Sequence, residues 1–397
     1  MSQGVLTEVS RPAVRPVTVL AAASFAVIGG SLTLPGTLLP LLLERLGISL
    51  VEAGSMLAAQ PVAYLVTVMA AWRLIGRLGM RAVLSLGVLT YAAGFAGFGL
   101  VSTWRAGAAM LFVSGLGFGA VEVAINTLLI NVGGERRANL LNLTHLFFGL
   151  GAFVWPVVTA QAVVAGVSWR WLFLAAGGVM GVVALGWGVQ PLGGAGESVP
   201  PATRPSQQGV YSRLTLMLAV LLGLYVGCDL GIGGWLTKYM VTERGVNLTY
   251  AGNSLSLYWL ALASGRLVLS FPSLHVRQQR LLVGLPVVAT AALTAALLVH
   301  APWICAVCFA ATGLGFSGIF PAVIALGGQH HPHDVAGATS VVVAGAALGG
   351  IVFPWTMSAI ADAVGLTAGM GFYASLCAAM VVLAIIVDRM LAVQTNA

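Results

Sequence analysis

Apolar residues along the chain are gathered into long blocks that short polar breaks separate. Each block has about 20 residues, the length that an α-helix needs to cross a bilayer core of about 30 Å. Because only helices and closed barrels satisfy their backbone hydrogen bonds in lipid, such blocks predict membrane-spanning helices. The pattern predicts twelve spans: Val17–Leu43, Ala53–Leu74, Ala82–Val101, Gly107–Val132, Leu140–Val164, Trp171–Pro191, Leu214–Met240, Tyr250–Phe271, Leu281–Leu298, Ile304–Gly328, Ser340–Ala361 and Gly365–Val387.

One polar break is much longer than the others and falls halfway along the chain. "PLGGAGESVPPATRPSQQGVYSR", Pro191–Arg213, is rich in Pro, Gly and Ser, a composition typical of flexible linkers. We therefore predict an all-α membrane protein with two six-helix bundles, 1–190 and 214–397, joined by a cytoplasmic linker at 191–213.

The composition agrees with this class of protein. Of 397 residues, 59% are apolar and only 7% are charged, whereas soluble domains carry about 25% charged residues. All of the cysteines lie inside predicted spans, and we interpret them as small helix-packing residues because no other metal ligands are near the Cys-x-x-Cys pair: Cys228, Cys305, Cys308 and Cys377.

The basic residues predict the orientation, because Lys and Arg in short loops stay cytoplasmic. With the N-terminus inside, thirteen fall on the cytoplasmic side: Arg11, Arg15, Arg73, Arg77, Arg81, Arg136, Arg137, Arg204, Arg213, Arg266, Arg277, Arg280 and Arg389. Five fall outside: Arg45, Arg105, Arg170, Lys238 and Arg244. We expect a protein of the cell inner (plasma) membrane with both termini cytoplasmic. The net charge of +7 is mostly this bias, and its scatter over many loops argues against a nucleic-acid partner.

The second half of the sequence repeats features of the first at a constant offset of 198 residues. The run Gly115–Phe118 matches Gly313–Phe316, and the same register holds in three further helix pairs. It relates Gly151 and Pro156 to Gly349 and Pro354. It relates Gly29, Leu32, Gly36 and Leu38 to Gly227, Leu230, Gly234 and Leu236. It also relates Ala53 and Gly54 to Ala251 and Gly252. One ungapped register across four pairs indicates parallel six-helix repeats, an arrangement that secondary transporters use.

A longer motif carries a family resemblance. "GLGFGAVEVAINTLLINVGGERRANLLNLTHLFFGLGAFVWP", Gly115–Pro156, resembles the fourth and fifth helices of the fucose:proton symporter group in the major facilitator superfamily. The matching residues are Glu122, Asn126, Arg136, Arg137, Asn142, His145 and the run Phe147–Ala152. The resemblance implies two rocking bundles around a central cavity lined by helices one, four, seven and ten.

Two features depart from that family. The loop after the second helix, "WRLIGRLGMR", keeps Arg77, Gly79 and Arg81 of the gating motif but has Gly76 where the family has Asp. The first helix offers only Ser31 and Thr33 where fucose symporters have an acidic residue. The family's gating latch and its two-carboxylate handling of protons therefore cannot be carried over unchanged.

Two carboxylates lie well inside predicted spans, Glu122 in the fourth and Asp229 in the seventh. A charge at mid-membrane costs about 3 kcal/mol, so such a group needs a partner, a wet cavity or a proton. We expect Glu122 to couple proton movement to transport, with Asn126 one turn away bonding the carboxylate or a substrate hydroxyl. The alternative for Glu122 is a protonated side chain bonded to a neighbouring helix.

Two further polar groups have equally open interpretations. Asp229, a second candidate for proton coupling, lies among glycines in "VGCDLGIGGW". They would let the helix unwind to expose backbone groups that Asp229 could join, or they permit close helix packing. His145 with Asn142 would relay protons or bind solute hydroxyls, or would form an interhelical hydrogen bond.

Amides and aromatic rings recur in the second and eighth spans. An amide donates and accepts while a ring packs on the apolar face of a sugar, so the set suits a neutral hydroxylated solute; each residue alone is also explained by packing. The predicted binding residues in these spans are Gln60, Tyr64, Asn253, Tyr258 and Trp259. His330, His331 and His333 are interpreted as a polar cytoplasmic loop rather than a metal site.

We predict a secondary transporter driven by a gradient, because the chain has no phosphate-binding Gly-x-x-x-x-Gly-Lys loop for ATP. We expect no enzyme activity, since no soluble domain offers a catalytic site, and no cofactor or metal. The favoured function is proton-coupled symport of a sugar or similar small polar solute. Proton-coupled export of apolar or cationic compounds and a non-transporting sensor or lipid-handling role remain alternatives. The expected partners are the solute, protons or Na⁺, and the lipid bilayer around a monomer.

Overall fold

A computed structural model describes residues 14–133, 137–192, 211–269, 278–331 and 335–395. The regular structure in these ranges is α-helical. The first half forms α1 (Val14–Thr37), α2 (Leu39–Leu46), α3 (Leu50–Leu78), α4 (Met80–Phe98), α5 (Trp104–Gly133), α6 (Arg137–Val164) and α7 (Trp169–Val189).

Within the described ranges, the second half also has seven helices and one divided span, which falls at a different place in the repeat. It forms α8 (Arg213–Arg244), α9 (Leu248–Leu269), α10 (Gln278–Leu298), α11 (Pro302–Phe316), α12 (Ile319–His330), α13 (Val335–Val364) and α14 (Leu366–Thr395). The predicted residues Arg11, Arg136, Arg204, Arg277 and His333, and most of the linker 191–213, lie outside the described residues, so the bundle boundaries stay a prediction.

The predicted spans correspond to these helices. Eleven helical segments of the described chain are long and apolar enough to cross a membrane, with α11 and α12 together forming one of them, Pro302–His330. The remaining span, α9, has 22 residues and falls short only in apolar character, since it carries several polar side chains. The prediction of an all-α membrane fold is confirmed.

Two predicted spans are divided into two helices each, and a proline follows each break. Pro40 and Pro321 lie near the start of the second segment, in α2 and α12, where the missing N–H of a proline is tolerated. Proline alone does not divide a span, because continuous helices also contain Pro61, Pro156, Pro286 and Pro354. The two breaks fall at Leu38 and at 317–318.

Two interpretations of the glycines around Asp229 were open, and the structure agrees with close packing, because α8 is one continuous helix of 32 residues. A Cβ on Gly227 would lie 2.7 Å from the carbonyl oxygen of Gly349, and one on Gly231 would lie 1.9 Å from the Tyr373 hydroxyl oxygen. Neighbouring helices occupy the space that side chains would need.

Equivalent contacts recur in the two halves at the offset of 198. A Cβ on Gly115 would meet the carbonyl oxygen of Gln60 at 2.2 Å, and one on Gly313 would meet that of Tyr258 at 2.4 Å. Gly313 and Tyr258 stand 198 residues after Gly115 and Gln60, respectively. The repeated glycines therefore mark repeated helix crossings.

The halves meet mainly where α3 packs on α13 and α6 packs on α9. We call the end of the bundle at which α1 begins and α14 ends the terminal face. At the other end, the opposite face, the Leu50 N–H donates to Asp362 Oδ1 (3.1 Å) and Trp355 Nε1 donates to the Ser55 hydroxyl (3.2 Å). These contacts close the opposite face between the halves.

Candidate functional site

Glu122 is positioned by a close crossing of α3 and α5. A Cβ on Gly119 would lie 2.7 Å from the carbonyl oxygen of Tyr64, so the two backbones nearly touch. The crossing sets the half-buried Glu122 beside Tyr64, whose hydroxyl group interacts with its carboxyl group. The Tyr64 ring is held in turn by Phe118, at a centroid distance of 4.8 Å. A carboxyl group with a hydroxyl neighbour can exist in either protonation state, which proton exchange requires.

Asn126 lies one turn beyond Glu122 on α5. Its side-chain oxygen is buried and has no hydrogen-bond partner in the described part of the chain. Buried polar atoms are normally paired. This acceptor is therefore free to take a hydrogen bond from a bound molecule or water.

Asp229 belongs to a network inside the second half. Its carboxylate accepts hydrogen bonds from the hydroxyl groups of Tyr225 (3.3 Å) and Tyr258, and it is only 8% exposed. Arg266 Nη2 donates to the same Tyr225 oxygen at 3.1 Å. Tyr225 thus links the buried carboxylate to a guanidinium group on α9.

A cavity of about 360 Å³ lies between α6 and α9. We call it the α6–α9 cavity; its walls are Asn139, Asn142, Leu143, His145, Leu146, Phe148, Gly149, Trp259, Leu262, Ala263, Arg266 and Leu267. Three of the predicted site residues, Asn142, His145 and Trp259, come together here. His145 also packs edge-on against Phe25 of α1, at a ring-centroid distance of 5.1 Å. The cavity is on the terminal-face side of the crossing, and Asn142, His145 and Arg266 remain exposed in it.

A second cavity of about 130 Å³ lies between the two halves. We call it the central cavity; its walls include Leu32, Thr33, Leu57, Gln60, Pro61, Phe148, Leu230, Gly233, Gly234, Trp235, Trp259 and Pro354. Gln60 is held in place by donating from Nε2 to the Ser114 hydroxyl at 2.9 Å. Phe148 and Trp259 line both cavities, so the two spaces adjoin.

Sequence comparison identifies the family. The sequence model of the Major Facilitator Superfamily matches residues 20–337. The chain belongs to this superfamily. Superfamily members are transporters, and the helical fold described above agrees with this assignment.

Relatives with curated sequences resemble only part of this superfamily protein. It is 29% identical over 229 residues to Protein TsgA of Salmonella arizonae, with 56% of each chain covered. It is 25% identical over 225 residues to Protein TsgA of Shigella flexneri, covering 55% of this chain and 56% of the relative. The match thus spans about half the length of the curated relatives.

Solved structures resemble the whole superfamily protein. A D-xylose–proton symporter has a TM-score of 0.76 at 13% identity, covering 94% of this chain and 97% of that one. A bacterial homologue of the human lysosomal transporter Spinster, inward-facing and unoccupied, has a TM-score of 0.75 at 13% identity, covering 95% and 96%. The fucose transporter FucP, outward-facing, has a TM-score of 0.61 at 20% identity, covering 93% and 98%. At these identities the likeness shows the fold alone.

The remaining predicted site residues lie apart from both cavities. Tyr258 is buried on Asp229, and Asn253 is exposed on α9. In the predicted gating loop, Gly79 alone joins α3 to α4, with a φ of 80°. Arg81 Nη2 donates a hydrogen bond to the Gln190 carbonyl at 3.0 Å, and Arg77 is exposed. The loop is therefore a tight joint on the terminal face.

Arg266 is the site residue that the sequence analysis missed, since it was counted only as a topological charge. The available signal was its position inside the predicted span Tyr250–Phe271, because charges within spans are rare and mark functional paths.

His331, which the sequence analysis assigned to a polar loop, is hydrogen-bonded to α8. Its Nε2 atom lies 2.8 Å from the hydroxyl oxygen of Thr215.

Proposed function

We propose that this superfamily member carries a small polar solute, with sugars as the first class to test, in symport with a proton. The observation that carries the proposal is the Glu122–Tyr64 pair. Tyr64 lies one helical turn from Gln60, and Gln60 lines the central cavity. A proton bound there is close to the solute path. The amides and the indole group of the α6–α9 cavity suit hydroxyl groups and the apolar face of a solute.

The two intramembrane carboxylates divide into a coupling and a structural role in this proposal. Asp229 already accepts two tyrosine hydroxyls inside the second bundle, and satisfied buried groups stabilise one packing arrangement. Glu122 is half-buried at a crossing within the first bundle. Protonation removes the cost of about 3 kcal/mol that its charge would carry through the membrane, so proton release and uptake can follow the rocking of the halves.

We take the terminal face as cytoplasmic because of the thirteen-to-five distribution of basic residues. Both termini then lie in the cytoplasm of the cell whose plasma membrane holds the protein. The closed opposite face and the exposed α6–α9 cavity correspond to an inward-facing state, in which a solute leaves towards the cytoplasm.

Export of apolar compounds is the second candidate, and one observation favours it. The central cavity is walled mainly by apolar side chains and glycine backbone, among them Leu32, Leu57 and Leu230. An apolar wall binds an apolar compound without desolvating polar groups. A proton taken up by Glu122 would then drive the compound outwards.

The test is solute uptake into proteoliposomes with an imposed inward proton gradient. Neutral sugars, organic acids and apolar drugs are screened for the natural chain, for Glu122→Gln, and for the matched control Glu44→Gln. Glu44 is an exposed glutamate of α2. A parallel series replaces the proton gradient with a sodium gradient.

The proposal expects proton-driven accumulation that Glu122→Gln abolishes and Glu44→Gln retains. Glu122→Gln should keep counterflow exchange, because the neutral amide mimics the protonated carboxyl group and still permits rocking. Accumulation driven by sodium alone would reject proton coupling. Drug-induced proton movement without uptake of any polar solute would reject symport and favour export.

A further inference from the structure

The α6–α9 cavity has an excess of hydrogen-bond donors. Arg266 presents a guanidinium group with five N–H donors and no acceptor. Within the described part of the chain its one hydrogen bond goes to the Tyr225 hydroxyl. The indole N–H of Trp259 is buried and has no hydrogen-bond partner in the described part of the chain. A ligand that matches these groups must supply acceptors.

Arg266 is the one permanently charged side chain among the residues that line the cavity. Arg266 and the titratable His145 both line it, and none of its lining residues is a carboxylate. Asp229 is the nearest acidic group in the Arg266 network, but it is separated from the guanidinium by the Tyr225 hydroxyl and is satisfied by two tyrosines. Among the residues that the structure describes, no anion is bonded to the face of Arg266 that lines the cavity.

We propose that the α6–α9 cavity binds the carboxylate of a small organic acid, held by Arg266 with His145 beside it. Guanidinium groups bind carboxylates through paired charge-assisted hydrogen bonds. The proposal rests on the transport function above and names its solute class as acids rather than neutral sugars.

The remainder of the cavity fits the body of such an acid. Its volume of about 360 Å³ is at the small end of ligand sites, which range over about 300–1,000 Å³. Asn139 and Asn142 offer amides to hydroxyl groups, while Leu143, Leu146 and Leu262 offer an apolar wall. Both a hydroxylated sugar acid and an acid with an apolar body meet this chemistry, and the test separates them.

The experiment is calorimetric titration of the purified full chain in detergent at pH 7. The probes are glucuronate, its neutral counterpart glucose and the cationic counterpart glucosamine, followed by phenylacetate and the neutral phenylacetamide. The variants are Arg266→Gln, Arg266→Lys and His145→Gln, and the control is Arg280→Gln, at an exposed arginine outside the cavity.

We expect one of the acids to bind about tenfold or more tightly than its neutral counterpart, since a hydrogen bond to a charged group is worth about 1.5–3 kcal/mol. Arg266→Gln should abolish this preference, Arg266→Lys should keep part of it, and Arg280→Gln should keep all of it. His145→Gln should weaken acid binding without loss of fold, so that a second lining residue tests the cavity independently of the Arg266 variants.

Equal binding of acid and neutral counterpart, failure of both acids to bind, or acid preference that survives Arg266→Gln would overturn the inference. Titration in detergent uses no gradient, so its result is independent of proton coupling. Acid binding without coupled uptake would leave the inference standing and reject the symport function. Proton-driven uptake of glucose alone would support the symport function and reject the inference.

Discussion

The closed opposite face depends on a glycine that lets α3 approach α13. A Cβ on Gly54 would lie 2.0 Å from the hydroxyl oxygen of Ser358 and 2.5 Å from its Cβ, whereas carbon contacts normally lie at about 3.5–4.0 Å. Ser358 cannot turn aside freely, because its hydroxyl group donates to the Trp355 carbonyl at 2.7 Å. Gly54→Ala must therefore push the two helices apart.

The size of the effect follows from the cost of overpacking, about 1–3 kcal/mol for an added carbon atom in a filled contact. This cost falls only on the state in which α3 and α13 touch at the opposite face. The equilibrium constant between the two states should then shift about 5–150-fold towards the state that is open there. The repeat makes the same prediction for Gly252→Ala, whose Cβ would lie 2.7 Å from that of Ala160 on α6.

The assay is a distance distribution between spin labels at Ser102 and His300, two exposed positions in loops of the opposite face. The labels are attached after the four natural cysteines are replaced by alanine. Gly54→Ala should move population from the short to the long distance. Gly76→Ala, on the same helix as Gly54, is the control, because a Cβ at Gly76 would meet nothing within 4 Å. A folded Gly54→Ala protein with an unchanged distribution would refute the reasoning.

Two stability predictions use thermal unfolding in detergent. Tyr258→Phe should lower stability by about 1–3 kcal/mol, because buried Asp229 loses one donor, while Tyr211→Phe, at a side chain that is 61% exposed, should change little; equal effects would contradict the Asp229 network. Gly79→Ala should cost about 1–3 kcal/mol, since φ of 80° and ψ of 157° is a region that only glycine adopts readily. Gly76→Ala is again the control, and an unchanged melting temperature for Gly79→Ala would show that the joint relaxes without strain.

The helical spans could be predicted because the bilayer imposes a length on every apolar block. The breaks within spans were harder, although Pro40 and Pro321 were visible, because proline at the start of a helix and proline inside one have opposite meanings. The glycines around Asp229 left two interpretations open for a similar reason. A missing side chain permits both unwinding and close packing, and only the neighbouring helix decides between them.

The site was less predictable than the fold because these helices are apolar on nearly every side. Without a polar face, the sequence does not tell which way Asn253 or Arg266 points. The partners of a buried group also lie far away along the chain: Tyr258 is 29 residues from Asp229, and Arg266 is 41 residues from Tyr225. Glu122, by contrast, becomes a candidate from its isolation alone, since a carboxylate in an apolar span demands an explanation.

The repeat separates what both halves need from what each half does. Packing is repeated: the glycine crossings at Gly115 and Gly313, and the interhelix contacts of Gly54 and Gly252, occur in both halves. The chemistry is not repeated, because the position 198 residues after Glu122 is Phe320 and the position 198 residues before Arg266 is Val68. If the proposals hold, the proton is carried by the first half and the anion is held against the second, so that only movement of one half relative to the other brings the two into register. Symmetric packing would then supply the rocking motion, and asymmetric polar groups would give it a direction.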